Sequence, residues 1–316
     1  MALDRSKARL SESGLPGQAH AVRYLEHQYR RNRSAGTIYN NQGALYSFLK
    51  FMQNNGLDHL EQLTRRNIEA FVEQYQDRGM KNETIRHILH ILYAFLSFLK
   101  PDKIIHPDLL ERKIRIRLPQ RLPKAIPTED VRRLLSAIGH VRDRAMVLML
   151  LRTGMRIGEL LSLRVNDVDL SERTVKIYQG EKNSVGRVVY LSEDARHALA
   201  LWMQQRRPEK SCIFYGLKGE LTYDGARRRF VKHLERADLA DKGYTLHCLR
   251  HTFATDLLNA GMRLECLQQL LGHSNLEITR IYARLTDASR EEEYFKAMTK
   301  IERGETDDYD RHDCQL

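Results

Sequence analysis

Several common signatures are missing from the 316-residue chain, and each absence argues against a class of protein. No apolar run reaches the roughly 18 residues that a transmembrane helix needs, so we expect no membrane span. The N-terminus, MALDRSKARLSESG, has no apolar stretch of the kind found in signal peptides. The four cysteines form no C-x-x-C pair, which predicts neither a zinc site nor a disulfide framework. Idle thiols in a reducing cytoplasm are the simpler interpretation.

Two motifs of phosphate chemistry are also absent from the chain. There is no GxxxxGK[ST] loop for a nucleotide and no clustered acidic triad for Mg²⁺. These absences agree with our expectation of no ATP, metal ion or other cofactor, which the family resemblance described below implies.

Positive charge is in excess over most of the chain. Lys and Arg total 52 against 41 Asp and Glu, which gives a net charge of +11 and a pI near 9.5. Both large segments, 1–121 and 122–300, are basic, whereas the last 16 residues carry six acids and two bases. A basic excess indicates a polyanionic partner, most often nucleic acid, although many basic proteins bind none.

The first third of the chain is predicted to be helical throughout. Apolar residues recur at helical spacing in four stretches, at about 18–31, 37–54, 64–78 and 85–99. Pro101 forbids continuation of the fourth. The pattern predicts a four-helix bundle of about 100 residues.

A basic, proline-containing segment follows the bundle. The stretch IRIRLPQRLPKAIP, Ile114 to Pro127, has three prolines and no acid. Proline keeps such a segment extended, so it is the expected domain boundary. Its charge would suit a strap along a phosphate backbone, and a solvated linker is an equally good interpretation.

The second segment mixes helices with a hairpin. Arg142 to Gly154 is typical of a fully buried helix that glycine ends. The β-branched runs TVKIY and RVVYL, joined by QGEKNSVG, predict a β-hairpin over Thr174–Tyr178 and Arg187–Leu191. Six further helices are predicted, at about 193–206, 223–237, 247–260, 263–271, 275–283 and 287–300.

Five short motifs follow one another in this second segment. They are TGMRIGEL around Arg156, GEKNSVGR around Lys182, LHCLRHTFAT around His247 and Arg250, LLGHSN around His273, and IYARL around Tyr282. In this order and spacing they resemble the catalytic domain of the tyrosine recombinases, the phage-integrase family of site-specific DNA recombinases. The resemblance covers about residues 122–300, and the N-terminal bundle looks more loosely like the family's SAM-like core-binding domain.

The resemblance implies a mostly α fold with a small β-hairpin or sheet. A helical core-binding domain would occupy residues 1–113, the basic linker 114–127, and an α+β catalytic domain 128–300. The acidic tail, 301–316, would follow. In the family such a tail docks on a neighbouring subunit, but ETDDYD departs from an apolar docking helix, so a solvated end is slightly favoured.

The matched residues suit phosphodiester transfer without a metal. Arg156 and Arg250 match the arginines that bind the phosphate, and guanidinium suits this role because it is bidentate and always charged. By resemblance, His247 holds the phosphate or assists proton transfer, and His273 is the second histidine that contacts it. Lys182 matches the lysine that protonates the departing 5′-oxygen, and nearby guanidiniums would lower its pKa.

Tyr282 matches the nucleophile of the family. A phenol has a pKa near 10, so it needs neighbouring groups to accept its proton. Attack would give a 3′-phosphotyrosyl bond that a second 5′-hydroxyl reseals. Considered without the other motifs, each residue has a purely structural interpretation. Tyr282 would be a core aromatic, Lys182 a solvated turn residue and Arg156 a salt-bridge partner of Glu159. The joint pattern favours catalysis at all six positions.

Three functional interpretations compete. The first is a site-specific recombinase or integrase that binds double-stranded DNA, forms a homotetramer on synapsed sites and is a monomer or dimer off DNA. The second is a type IB topoisomerase, and the third is a DNA-binding homologue that cuts nothing. The resemblance also implies a cytoplasmic, nucleoid-associated protein with a simple Xer-like architecture. A mobile-element integrase and a resolvase of chromosome dimers remain indistinguishable, and the accessory proteins are unknown.

Overall fold

The structure, a computed structural model, describes residues 2–119, 123–178, 185–216 and 219–272. The chain divides into two compact units, Met1–Gln120 and Arg121–Leu316. Within the described ranges, every helix is too short or too polar to cross a membrane.

Helices make up the regular structure of the first unit. They are α1 (Ala2–Ser11), α2 (Gln18–Arg30), α3 (Ala35–Asn54), α4 (Arg65–Asp77), α5 (Asn82–Leu99) and the short α6 (Asp108–Glu111). The four predicted helices correspond closely to α2–α5. The bundle also contains α1, which packs on α2 and α3 and buries Leu10 completely. Periodicity missed α1 because Leu3 and Leu10 are its only large apolar residues.

Side-chain caps and buried aromatics account for the helix boundaries and packing of this unit. Ser34 and Thr64 accept hydrogen bonds from backbone N–H groups in the first turns of α3 and α4, which satisfies donors that the helix leaves unpaired. Phe48 and Phe71 are fully buried and meet edge to face, with ring centroids 5.1 Å apart.

The basic segment between the units is anchored at both ends. The Ile114 N–H donates to the Tyr93 hydroxyl at 2.8 Å in the first unit. In the second unit Ile126 is buried, and its N–H donates to the Thr252 hydroxyl at 2.8 Å. At these two ends a few apolar residues pack on each unit, while the basic side chains near them stay exposed.

The second unit combines helices with two small antiparallel sheets. Its helices are α7 (Thr128–Ser136), α8 (Val141–Thr153), α9 (Ile157–Ser162), α10 (Glu193–Gln205), α11 (Tyr223–Arg236), α12 (Leu246–Asn259) and α13 (Leu264–Leu271). Its strands are β1 (Val168–Asp169), β2 (Thr174–Tyr178), β3 (Val185–Tyr190), β4 (Tyr215–Gly216) and β5 (Gly219–Glu220). Three of the strands form an antiparallel sheet in the order β1–β2–β3, and β4 pairs with β5. The predicted mostly α fold with a small hairpin is confirmed.

Helix α8 forms the centre of the second unit. It is buried on nearly every side and contacts α10 and α12. Such a helix has no polar face, which explains why the stretch shows little amphipathic periodicity. Because α12 packs directly on it, the residues that end α8 lie beside those that α12 carries.

Candidate active site

The structure describes three of the six predicted site residues. Arg156 lies at the N-cap of α9, and both His247 and Arg250 lie on α12. Lys182, His273 and Tyr282 fall outside the described residues.

Arg250 is buried where two helices end. Only 2% of the surface of Arg250 is exposed. One Nη1–H donates to the Gly154 carbonyl at 2.5 Å, and Nη2–H donates to the Leu271 carbonyl at 2.7 Å. The last carbonyls of a helix lack intrahelical partners and carry the negative end of the helix dipole. A guanidinium between the ends of α8 and α13 therefore satisfies both groups and joins the two helices.

Gly154 is required at the end of α8 for two reasons. Its φ of +62° is a left-handed conformation that side chains disfavour. A Cβ atom there would also lie 2.2 Å from Cδ1 of Phe253 on α12. The glycine of the TGMR motif thus lets α12 approach α8 closely enough for Arg250 to reach the helix end.

Arg156 begins α9 and is much more accessible than Arg250. Its side chain is 47% exposed. The Glu159 carboxylate accepts the Arg156 backbone N–H at 2.7 Å and its Nη1–H at 3.0 Å. The R-x-x-E spacing places the acid at the third position of the helix, where it caps the helix start. The pairing expected for Arg156 alone is therefore present, and it leaves the guanidinium accessible at the surface.

A second arginine, Arg187 on β3, holds the same carboxylate. Its Nη1–H and Nη2–H donate to the two oxygens of Glu159 at 3.0 and 2.7 Å. Burial would raise the pKa of the Glu159 carboxyl, but the hydrogen bonds from Arg187 and Arg156 outweigh it and hold the pKa below its ordinary value. Glu159 is thus a charged acid between two guanidiniums.

Arg187 also reaches the end of α13. Its Nε–H donates to the Leu270 carbonyl at 2.8 Å. Gly272, two residues after Leu270, has a φ of +62°. A Cβ atom at this position would lie 2.8 Å from Nη1 of Arg187. The guanidinium therefore packs closely against the turn that ends α13.

These contacts, together with the backbone from Leu270 to Leu271 and from Gly154 to Arg156, form a closed circuit, which we call the arginine ring. It consists of Arg156, Glu159, Arg187, the Leu270 and Leu271 carbonyls, Arg250 and the Gly154 carbonyl. The ring joins the end of α8, the start of α9, β3, α12 and the end of α13. It holds three positive charges and one negative charge, so its net charge of +2 suits a polyanion.

The positive charges of the arginine ring act on His247. The pKa of its imidazole is lowered, first by loss of hydration and then by the positive charges of Arg250 and Arg156. These influences place His247, Arg156 and Arg250 in one electrostatic neighbourhood. One helical turn later, the His251 ring stands edge-on to the His247 ring, with centroids 4.4 Å apart. The pKa of His251 is lowered to about 4, chiefly by burial.

Basic residues elsewhere in the two units have different surroundings. On α11, Arg227 and Arg228 are exposed. Arg229 instead turns towards buried Asp143, with Nη1 and Oδ2 3.5 Å apart. In the first unit seven basic residues are all exposed: Arg30, Arg31, Arg33, Arg65, Arg66, Lys81 and Arg86.

Sequence reasoning missed the role of Arg187 and the contact between the two histidines. From the sequence, Arg187 has only a place in the predicted hairpin, five residues after Lys182. Its position on β3 gave one signal, since β2 and β3 alternate and Arg187 pairs with buried Ile177. A charged residue on the buried face of a strand needs a partner.

Two family descriptions match the chain, one for each unit. The phage integrase family matches residues 124–289, and the phage integrase N-terminal SAM-like domain matches residues 21–103. The chain belongs to the phage integrase family. Its first unit matches the SAM-like domain, in agreement with the looser resemblance of the N-terminal bundle.

Curated relatives support the same assignment within the tyrosine recombinases. The chain is 30% identical to tyrosine recombinase XerC of Bacillus subtilis strain 168 over 282 residues, which cover 84% of this chain and 90% of XerC. It is 33% identical to tyrosine recombinase XerA of Thermococcus kodakarensis over 219 residues, 68% of this chain and 76% of XerA. The prediction of a DNA strand-transferring enzyme of site-specific recombination is confirmed, and the two alternatives are not supported.

Solved structures of tyrosine recombinases share the fold. The Tn1549 transposon integrase, in complex with a circular intermediate DNA, matches with a TM-score of 0.70 and 20% identity over 85% of this chain and 95% of that one. The XerH recombinase, in a post-cleavage complex with a palindromic difH substrate, matches with a TM-score of 0.68 and 20% identity. That alignment covers 93% of this chain and 94% of XerH.

Proposed function

We propose that this tyrosine recombinase binds double-stranded DNA and cuts it with Tyr282 as the nucleophile, assisted by Arg156, Lys182, His247, Arg250 and His273. The product of cutting is a 3′-phosphotyrosyl link and a free 5′-hydroxyl. The energy of the phosphodiester stays in this link, so a second 5′-hydroxyl can reseal the strand without ATP.

The convergence of Arg156, His247 and Arg250 carries the proposal. Two guanidiniums of the arginine ring act on one histidine, and a single ring carboxylate leaves the ring with net positive charge. Fixed positive groups stabilise the charge that develops on a phosphate in the transition state. Arg156, accessible at the surface, would bind the phosphate oxygens directly, while buried Arg250 would act beneath them.

The proposed step balances as a displacement at phosphorus. The Tyr282 oxygen forms a bond to phosphorus, and the bond from phosphorus to the 5′-oxygen breaks. The phenolic proton passes to His247, whose lowered pKa keeps the ring neutral and able to accept it near pH 7. Lys182 donates a proton to the 5′-oxygen as it leaves. Resealing is the reverse of this step with a new 5′-hydroxyl.

Chain proximity supports roles for the two remaining residues. His273 is two residues after Leu271, whose carbonyl Arg250 holds, and directly follows Gly272. Lys182 is five residues before Arg187, in the connection between β2 and β3. Both would therefore enter the site from segments that the arginine ring anchors.

The wider assembly belongs to the same proposal. Relatives solved as complexes with DNA, including the Tn1549 integrase and XerH, support DNA as the partner. We propose a homotetramer on two synapsed sites, with monomers or dimers off DNA, working in the cytoplasm on the nucleoid. Domain bounds of 1–113, 114–127, 128–300 and 301–316 belong to this proposal, with the tail left in solvent and Tyr282 attacking within its own subunit.

A trapping experiment tests the nucleophile. Genomic fragments bound by the protein are sequenced to find the site, and that site is built into a nicked suicide substrate. With EDTA present, the wild type should form a covalent protein–DNA band, and Tyr282→Phe should form none while its Kd for DNA is unchanged. An equal band from Tyr282→Phe would refute the assignment.

The matched control is Tyr223→Phe. Tyr223 is an exposed tyrosine on α11, far in sequence from every residue of the arginine ring. This variant should form the covalent band as fast as the wild type. A loss of the band in both variants would point to a general effect of removing a hydroxyl, and would also count against Tyr282.

A further inference from the structure

We propose that Arg187 is a positioning residue of the recombination site, which orients the end of α13 and the guanidinium of Arg156 together. The inference rests on the proposed function, since positioning has meaning only if those residues act on DNA. Arg187 has no part in the chemical step written above.

The geometry of Arg187 argues for orientation as its role. Its side chain is only 7% exposed, which leaves little surface for DNA. All three of its nitrogens donate hydrogen bonds, two to the Glu159 carboxylate and one to the Leu270 carbonyl. The planar fork of guanidinium fixes these two acceptors relative to each other, which an ammonium on a flexible stem cannot do.

The two acceptors lead to different parts of the site. Glu159 also binds the backbone N–H and Nη1–H of Arg156, so moving Glu159 moves the start of α9. Leu270 lies three residues before His273, and Gly272 leaves no room for a Cβ against Arg187. Arg187 thus sets the distance between Arg156 and the chain that leads to His273 and Tyr282.

The position of Arg187 along the chain adds a third connection. It lies on β3, the strand that follows the connection carrying Lys182. One side chain therefore joins β3, the start of α9 and the end of α13 in a single frame. A misplacement of about 1 Å in such a frame can cost on the order of 100-fold in rate.

The same unit contains a closely matched control. Arg142, 7% exposed in its side chain, donates Nε–H and Nη2–H to buried Asp143 at 2.9 and 2.7 Å, and Nη1–H to the Tyr215 carbonyl at 2.9 Å. It therefore repeats the pattern of Arg187, one carboxylate and one backbone carbonyl. Arg142 lies at the start of α8, about 18 Å along the helix from Gly154.

The experiment compares Arg187→Lys with Arg142→Lys on the nicked suicide substrate. Three quantities are measured for each: the thermal midpoint, the Kd for DNA with its salt dependence, and the single-turnover cleavage rate at saturating DNA. Both variants should lose similar stability, because each breaks a buried arginine–carboxylate pair. Arg187→Lys should cleave about 10- to 100-fold more slowly at unchanged Kd, and Arg142→Lys should cleave as the wild type does.

Three results would overturn the inference. Cleavage by Arg187→Lys at the wild-type rate would remove the positioning role. Equal slowing in Arg142→Lys would reduce it to general stability. A higher Kd with a smaller salt slope would make Arg187 a phosphate contact instead. Absence of a covalent band from the wild type would reject the proposed function itself, so the two failures are distinguishable.

A second variant covers the case in which Arg187→Lys does not fold. Glu159→Gln removes the charge at the other side of the same contact and keeps the side chain's shape. It should also slow cleavage at saturating DNA without changing Kd, because one of the two oxygens that Arg156 and Arg187 share becomes an amide NH2, which cannot accept their hydrogen bonds. Wild-type cleavage by Glu159→Gln would contradict the connection between the two arginines.

Discussion

Arg156 and Arg250 are both positively charged residues of the proposed site, but Arg156 is exposed and Arg250 is buried. Arg156 starts a short helix, is 47% exposed in its side chain and pairs with one carboxylate. Arg250 is 2% exposed and holds the carbonyl ends of α8 and α13. The difference indicates that one guanidinium is placed to meet a ligand, whereas the other also assembles the site. Substitutions at the two positions should therefore separate catalysis from stability.

Arg250→Ala should have the largest effect. It removes a buried charge and leaves the Gly154 and Leu271 carbonyls without this donor, so unfolding should become easier by on the order of 3 kcal/mol. Cleavage should fall by about 10³-fold, because a preorganised positive group is lost. Chemical denaturation and single-turnover cleavage measure the two losses. A fully stable Arg250→Ala protein would contradict the assembling role.

Arg156→Ala should lose activity with little loss of stability. Its guanidinium is largely solvated, so the stability change should stay within about 1 kcal/mol. Cleavage should still fall by about 10²- to 10³-fold if Arg156 binds the phosphate. The same two measurements apply. A loss of stability equal to that of Arg250→Ala would erase the contrast between the two arginines.

The pH dependence of cleavage should report the protonation of His247, whose pKa the two arginines help to lower. Loss of hydration and the two guanidiniums lower the pKa of His247, so its neutral form persists below pH 6.5. If neutral His247 accepts the phenolic proton, the cleavage rate at limiting DNA should fall as pH drops through this lowered pKa. His247→Gln should lose about 10- to 100-fold and lack this inflection. A rate that rises on acidification would favour a cationic His247 that only binds phosphate.

The smallest expected effect concerns His251. The pKa of His251 is lowered to about 4 in the folded protein, against an ordinary value near 6.5. Between these values the unfolded chain binds a proton that the folded protein does not, so stability falls as pH drops from about 6.5 to 4. His251→Gln should lose less stability over this window than the wild type, by on the order of 1–3 kcal/mol. The free energy of unfolding is measured by denaturation at each pH for both proteins. If it changes equally with pH in the wild type and in His251→Gln, this account is contradicted.

Local patterns predicted much of the fold. Helical spacing found α2–α5 and most helices of the second unit, and β-branched runs found β2 and β3. The very short strands β1, β4 and β5 have too few residues to create a pattern. Helix α1 was missed because its stability comes from packing on its neighbours, not from its own periodicity.

The sequence predicted residues of the candidate site but not the contacts that join them. Motif spacing predicted Arg156, His247 and Arg250, and the R-x-x-E spacing suggested the pair with Glu159. The contacts of Arg187 with Glu159 and Leu270 join residues 28 and 83 positions apart. Such contacts depend on how β3 and α13 pack, and one of their acceptors, that of Leu270, is a backbone carbonyl that any residue type could supply. Spacing along the chain holds no information about them.

One measurement tests the central claim most directly, namely which atom of the protein becomes joined to DNA. The covalent complex formed on the suicide substrate in EDTA is digested, and the peptide that carries the nucleotide is sequenced by mass spectrometry. We predict a 3′-phosphate ester on Tyr282, with a 5′-hydroxyl on the released strand. A nucleotide on any other residue, or a phosphate left on the 5′ end, would contradict the account.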